Sequence, residues 1–370
     1  MANTATRSLT AFQNVWRAWA LHGTGGHWVY LGLVGTLLLA VVASLGTGAF
    51  PINPGSVLAI LGTQVGMDPP WEYTSVQETV LLNIRAPRAV TGILVGAGLA
   101  ISGAAMQGMF RNPLADPALV GVSAGAAFAA VSIIVLGTTL FQGFTSSVGV
   151  FALPVGAFLG GFVTTLVVFR LSKVGGRADV ATMLLAGIAI NAIANAGTGL
   201  MTFLADDQQL RTLSFWTLGS LGGSNWQQLG VAAPLIILPM LIMPLYAQVL
   251  NAMLLGEAEA GHLGFNLERI KLVLIVCVAL IVGAAVSASG IIGFVGLVVP
   301  HLLRLSIGPD HRFLLPATAL LGASLMLAAD MLARTIVSPA ELPIGIITAL
   351  IGGPFFIWLL LKRRTRMGLG

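Results

Sequence analysis

Long apolar runs, broken by short polar segments, set the pattern of this chain. Asp, Glu, Lys and Arg are missing from Ala18 to Met67, Ala89 to Phe110, Pro117 to Phe169, Val180 to Ala205, Thr212 to Gly256 and Leu272 to Leu303. A last apolar segment runs from Leu342 to Leu361. A helix needs about 20 residues to cross roughly 30 Å of hydrocarbon. The run 117–169 therefore holds two crossings, with a turn near Gly137–Ser147. The run 272–303 is too long for one upright span at ~1.5 Å per residue, and Ser289-Gly290 is the natural break. The pattern predicts ten spans, near 29–50, 89–109, 117–136, 148–169, 181–203, 228–249, 271–288, 292–304, 313–333 and 343–361. Residues 1–28 read as an uncleaved lead-in, 29–362 as one membrane domain and 363–370 as a tail.

Composition agrees with an all-α polytopic membrane protein. Charged residues make up 8% of the 370 positions and hydrophobic ones 56%, with a mean hydropathy of +0.94. Soluble domains carry about 25% charged residues, so a soluble enzyme or nucleic-acid binder is excluded. The net charge of +5 does not call for nucleic acid, because the basic residues sit in the segments between spans. With the N-terminus inside, only Arg85, Arg88, Arg211 and Arg334 fall outside, and every other Lys and Arg falls inside. That asymmetry obeys the positive-inside rule and puts both termini in the cytoplasm.

The two halves share an echo. Val95-Gly96-Ala97, Ser102-Gly103 and Pro113 recur at one offset as Val282-Gly283-Ala284, Ser289-Gly290 and Pro300. The echo starts in spans two and seven, which run in opposite directions. That suggests an inverted repeat, an arrangement that places a transport path between halves. Chance matching in a Gly- and Ala-rich chain is the competing account.

Chemistry-bearing motifs are few. No lysine follows a glycine, so there is no phosphate-binding P-loop. No H-E-x-x-H or paired-cysteine metal motif occurs, and Cys277 is the only cysteine. The outer basic residues Arg85, Arg88 and Arg334 lie on the disfavoured side. They suit either docking of an acidic protein or anchoring to lipid phosphate, and Asp330, four residues before Arg334, could instead satisfy it on one helix face. The inside loop at about 251–270 holds Gly256, Glu257, Ala260, Gly261, Leu263 and Gly264. It predicts a short helix over Glu257–Leu263 with Gly264 as its stop, either a handle for a cytoplasmic partner or a solvated loop. Asn191 and Asn195 share one face of span five, as helix–helix contacts or as pathway groups. Asp330 is the one candidate acid for an ion-coupled carrier.

Ordered motifs then point to a family. Arg85-Ala86-Pro87-Arg88, Gly96-Ala97, Ser102-Gly103, Gln107, Arg111-Asn112-Pro113-Leu114-Ala115-Asp116-Pro117, Gly121 and Gly125-Ala126 resemble the permease family that imports iron-siderophores, heme and vitamin B12. So do Leu213-Ser214-Phe215-Trp216 with Gly219-Ser220, Gly293-Phe294-Val295-Gly296-Leu297 with Pro300-His301, Ala329-Asp330 with Arg334, and Glu341-Leu342-Pro343-Ile344-Gly345. The resemblance covers about residues 30–362. It implies a ten-span subunit of the type II ABC importer permease fold, with an inverted pseudo-repeat, in the bacterial inner membrane. It implies pairing with a second copy, two cytoplasmic ATP-hydrolysing subunits that hold ATP and Mg, and a periplasmic substrate-binding protein. It gives Arg85, Arg88 and Arg334 to docking of the binding protein, Gly256–Gly264 to coupling with the ATPase, and Asp179, Val180 and Ala181 to the inner narrowing of the path. No cofactor is bound permanently. The run Gln107–Pro117 with Gly121–Ala126 looks most like the heme branch, with heme as the transported substrate, although siderophore permeases share much of it.

Overall fold

The structure, a computed structural model, describes residues 25–366 apart from Gly176. The lead-in before residue 25 and the tail after 366 lie outside the described residues. Sixteen α-helices are described: α1 Gly25–Gly46, α2 Pro54–Gln64, α3 Ser75–Val80, α4 Ala86–Met109, α5 Val122–Leu136, α6 Gln142–Val148, α7 Ala152–Leu171, α8 Val180–Leu204, α9 Asp207–Leu218, α10 Trp226–Ile242, α11 Ala247–Leu255, α12 Glu257–His262, α13 Leu267–Ser289, α14 Val295–Ile307, α15 His311–Ala333 and α16 Ile344–Arg366. One small antiparallel hairpin, β1 Lys173–Val174 with β2 Arg177–Ala178, joins α7 to α8.

Among the described residues, seven helical stretches are long and apolar enough to cross a membrane. Three shorter apolar helices, Val122–Leu136, Val295–Ile307 and Ile344–Leu359, complete the ten expected spans. The break in the long run 272–303 falls at the expected place. Helix α13 ends at Ser289, and Gly290 follows at φ 69°, a left-handed conformation that glycine adopts without a steric penalty. Span two begins earlier than hydropathy alone suggests. A π-turn at Leu81–Arg85 joins α3 to α4, so one helical path runs from Ser75 to Met109. Span six is likewise extended. Pro244 lies in a 3-10 turn, Met243–Tyr246, which leads into α11.

Helix α4 is the centre of the bundle, with 89% of its apolar window buried. Its small residues let two neighbours approach to backbone contact. A Cβ added at Gly96 would lie 2.3 Å from the carbonyl oxygen of Gly322 in α15. One added at Gly103 would lie 1.9 Å from that of Gly296 in α14. These are the close crossings that small residues permit between membrane helices.

The internal echo needs refinement. Each half runs from a long helix (α4, α13) to a short apolar one (α5, α14), and each short helix is entered through a left-handed residue, Gly121 or Phe294. The sequence register of the echo is not that of the elements. Gly103 lies inside α4 whereas Gly290 follows the end of α13. Pro113 lies in a loop whereas Pro300 lies inside α14.

Candidate functional site

Three regions carry the polar chemistry: two at opposite ends of α4 and one along α8. At the first end, Pro87 sits just past the π-turn at Leu81–Arg85, within a continuous helical path whose hydrogen-bond ladder its missing N–H interrupts. Arg88 follows and reaches across to α15. Its Nε lies 3.0 and 3.2 Å from the two Asp330 carboxylate oxygens, and its Nη2 lies 2.9 Å from Oδ1. Nη1 donates to Glu341 at 2.8 Å. Arg334 pairs with the same Asp330 at 3.2 Å and donates to Ser44 O, Ser44 Oγ and Thr47 O at the end of α1. Arg85 donates to the carbonyls of Leu45, Gly46 and Phe50.

The three arginines expected as docking groups lie in a buried network. Arg85, Arg88 and Arg334 are 5%, 8% and 6% exposed, and Asp330 is 1% exposed. Their guanidinium donors are committed to backbone carbonyls and carboxylates that tie α1, α4 and α15 together. A charge is costly to hide in a membrane protein unless it is compensated; Arg88 and Arg334 are paired with carboxylates, and Arg85 is hydrogen-bonded to three carbonyls. Asp330 does not stand free, because its carboxylate is paired with both Arg88 and Arg334.

The other end of α4, roughly 35 Å away at ~1.5 Å per residue, packs on α11, which leads into α12. Arg111, at φ 49°, lies beside Gly256. Helix α12 runs from Glu257 to His262, one residue short of the predicted end. Gly256 at φ 136° precedes it, and Gly264 at φ 86° stops it as expected. Ala260 is fully buried and pins the helix down, while Gly261, His262, Leu263 and Gly264 face outward. An open cleft of about 640 Å³, bordered by Arg177, Glu257, Ala258, His262 and Glu268, lies alongside.

Helix α8 is the third region. Asp179 caps it, its carboxylate accepting from the Thr182 N–H and hydroxyl at 2.7 Å each. Those two hydrogen bonds hold the Asp179 pKa below the usual carboxylate value. Val180 is half-buried and Ala181 exposed. Asn191 donates to Ala118 O, in the 117–120 turn, at 3.0 Å, whereas Asn195 is exposed. Only 17% of the apolar window of α8 is buried, and Leu185, Ile193 and Phe203 project from it.

One linkage escaped the sequence reading. Lys271, near the start of α13, is 1% exposed. Its Nζ donates to Glu257 at 2.7 Å and to Ala178 O at 2.8 Å. The signal was slight, namely Glu268 and Lys271 three apart on one helix, a spacing that places side chains together.

The sequence profile of the FecCD transport family matches residues 36–362. The chain belongs to the FecCD transport family. It is 46% identical over 328 residues to the hemin transport system permease protein HmuU of Yersinia pestis, covering 89% of this chain and 94% of that one. It is 42% identical to the cobalamin import system permease protein BtuC of Halobacterium salinarum, covering 78% and 75%. It is 38% identical to the vitamin B12 import system permease protein BtuC of Klebsiella pneumoniae, covering 92% and 95%. A solved inward-facing metal-chelate type ABC transporter superposes with a TM-score of 0.77 at 34% identity, over 90% of this chain and 98% of that chain. This FecCD permease is thus a multi-pass ABC importer subunit that works with ATP-binding subunits and a substrate-binding protein, and it has no ATPase site of its own.

Proposed function

We propose that this permease moves heme from a binding protein outside the inner membrane to the cytoplasm, as one of two identical copies. The observation that carries the reading is the 46% identity to a hemin permease across 94% of its length. The cobalamin relatives, at 42% and 38%, support a cobalamin substrate as the second reading, beside the ferric siderophores that the motif resemblance brings in. The binding protein lands at the arginine end, on a surface that Arg85, Arg88 and Arg334 hold together. Two ATP-hydrolysing subunits, which carry the ATP and Mg, take the α12 end through Gly256, Glu257, Ala260, Gly261, Leu263 and Gly264. The path follows α8, with Asp179, Val180 and Ala181 at its inner narrowing and Asn191 and Asn195 along it. The exposed apolar face of α8 then meets the second copy or the substrate, and both termini lie in the cytoplasm. A path walled by Leu, Ile and Phe suits a flat apolar ligand, since it offers few fixed polar grips.

The test is uptake into proteoliposomes holding the permease, its ATP-binding subunits and its binding protein, with heme, a ferric siderophore and cobalamin offered separately. ATP-dependent heme accumulation is the expected result. Accumulation of cobalamin or siderophore alone would reassign the substrate. Uptake that persists after ATP depletion would overturn the ATP-driven scheme.

A further inference from the structure

Ala178 is the last residue of the β1–β2 hairpin, two positions before α8, and side chains of α13 hold both of its backbone groups. Its N–H donates to the two carboxylate oxygens of Glu268 at 2.9 and 3.0 Å. Its carbonyl accepts from Lys271 Nζ at 2.8 Å. The same ammonium donates to Glu257 Oε2 at 2.7 Å, in the first turn of α12. One residue beyond Ala178, the Asp179 N–H donates to Ser172 O at 3.0 Å and its carboxylate caps α8. A continuous run of hydrogen bonds therefore leads from α12 through Lys271 to the start of α8.

We propose that Lys271 is the positioning residue that delivers a displacement of α12 to the inner end of α8. The proposal rests on the reading that the ATP-hydrolysing partners bind α12. Burial gives the link its stiffness. An ammonium that is 1% exposed has no water to turn to, so letting go of Glu257 leaves it uncompensated. Glu257 is half-exposed and stands where a partner seated on α12 reaches it. Glu268 fixes the other side of Ala178, so the hairpin cannot pivot about Lys271 alone. An apolar side chain of similar length at 271 would keep the volume and remove both hydrogen bonds.

The experiment uses the full complex of permease, ATP-binding subunits and binding protein. Spin labels at Ala258→Cys and Val174→Cys, both exposed positions, report the distance between α12 and the hairpin with and without ATP. The wild-type link gives one narrow distance distribution in both conditions. Lys271→Met is expected to broaden it and to lower transport per ATP hydrolysed at least about tenfold, while basal hydrolysis stays within about twofold. Lys271→Arg should restore most of both readouts. Should Lys271→Met fail to fold, Glu268→Ala frees the Ala178 N–H, and the same broadening is expected from it. A distribution that stays narrow in Lys271→Met or Glu268→Ala overturns the link, and broadening with unchanged transport per ATP overturns its role in transmission. An otherwise wild-type complex in which a crosslinker on Ala258→Cys never captures an ATP-binding subunit would instead sink the α12 reading, and the proposal with it.

Discussion

Replacing Asp330 with Asn tests whether the arginine end is a structural clamp. In the wild-type chain, Asp330 accepts three contacts from Arg88 at 2.9–3.2 Å and pairs with Arg334 at 3.2 Å, at 1% exposure. The amide keeps the shape but removes the one anion shared by two buried cations. Glu341 still meets Arg88 at 2.8 Å, and Ser44 and Thr47 still accept from Arg334. Removing one partner of a buried pair costs about 3–5 kcal/mol, and these surviving acceptors place the loss near the lower end. A loss of about 3 kcal/mol lowers the folded-to-unfolded ratio roughly 100-fold, at ~1.4 kcal/mol per factor of ten. The assay is unfolding of purified permease in mixed dodecyl maltoside and dodecyl sulfate micelles, followed by tryptophan fluorescence. Adding Arg334→Gln removes the unpaired cation and should recover part of the loss. An Asp330→Asn midpoint equal to wild type would refute the clamp. Uptake in ATP-free vesicles that follows a pH gradient and vanishes in Asp330→Asn would refute it in a second way, by making Asp330 a proton carrier.

Four further outcomes are expected. Gly103→Ala drives a methyl into the Gly296 carbonyl, 1.9 Å from the ideal Cβ, and should cost at least the ~1–3 kcal/mol of an overpacked core. Gly32→Ala, with nothing within 4 Å, should be neutral or stabilising by up to about 1 kcal/mol, and the same micelle titration compares the two. Asp310, outside the spans, would be raised by its burial, but hydrogen bonds from Arg312 and Asn251 and the charge of Arg312 bring its pKa down from 3.8 to about 2. Its folded value lies below its unfolded value, so its stabilisation is complete above pH 4 and fades as pH falls toward 2; Asp310→Asn should flatten that part of the stability–pH profile. Arg85→Glu with Arg88→Glu should reduce the yield of folded permease as well as binding-protein association, measured by size-exclusion recovery and pull-down, because both side chains are bonded inside the fold. Normal recovery with lost association would restore them as direct docking groups.

The spans were legible because hydropathy acts through length, and an uncharged run of suitable length has few other places to go. The break at Ser289-Gly290 was legible because a run too long for one span met a residue tolerant of a left-handed turn. Helix α2 was not, since Pro54–Gln64 is apolar like the spans but too short to cross, and one charge-free run covers both it and α1. Amphipathic α9 was missed for the opposite reason, having too few apolar residues to register as a span. The grouping of the arginines at one end of the bundle was legible, and Asp330 as a partner of Arg334 with it, but the backbone carbonyls that hold Arg85 were not. Position along a chain fixes depth in the bilayer; the direction of a guanidinium depends on carbonyls some forty residues before Arg85 and a carboxylate on α15. Lys271 left only a slight signal for the same reason, because its partners come from α12 and from the hairpin before α8.

These contacts divide the bundle mechanically. Helices α4, α14 and α15 meet backbone to backbone at Gly96–Gly322 and Gly103–Gly296, and the Arg88–Asp330–Arg334 cluster locks α4 to α15 and α1. Separating them would open voids beside backbone and strand paired charges, both costly in a dry interior. Helix α8 is held differently. It leans on the 117–120 turn through Gly187 and the Asn191–Ala118 hydrogen bond, is capped by Asp179, and leaves most of its apolar surface uncovered. Relative movement is cheapest where buried contacts are fewest. A transport cycle that moves α8 against a fixed α4–α14–α15 block therefore asks least of the fold, and the Lys271 linkage enters α8 at the end where such movement would begin.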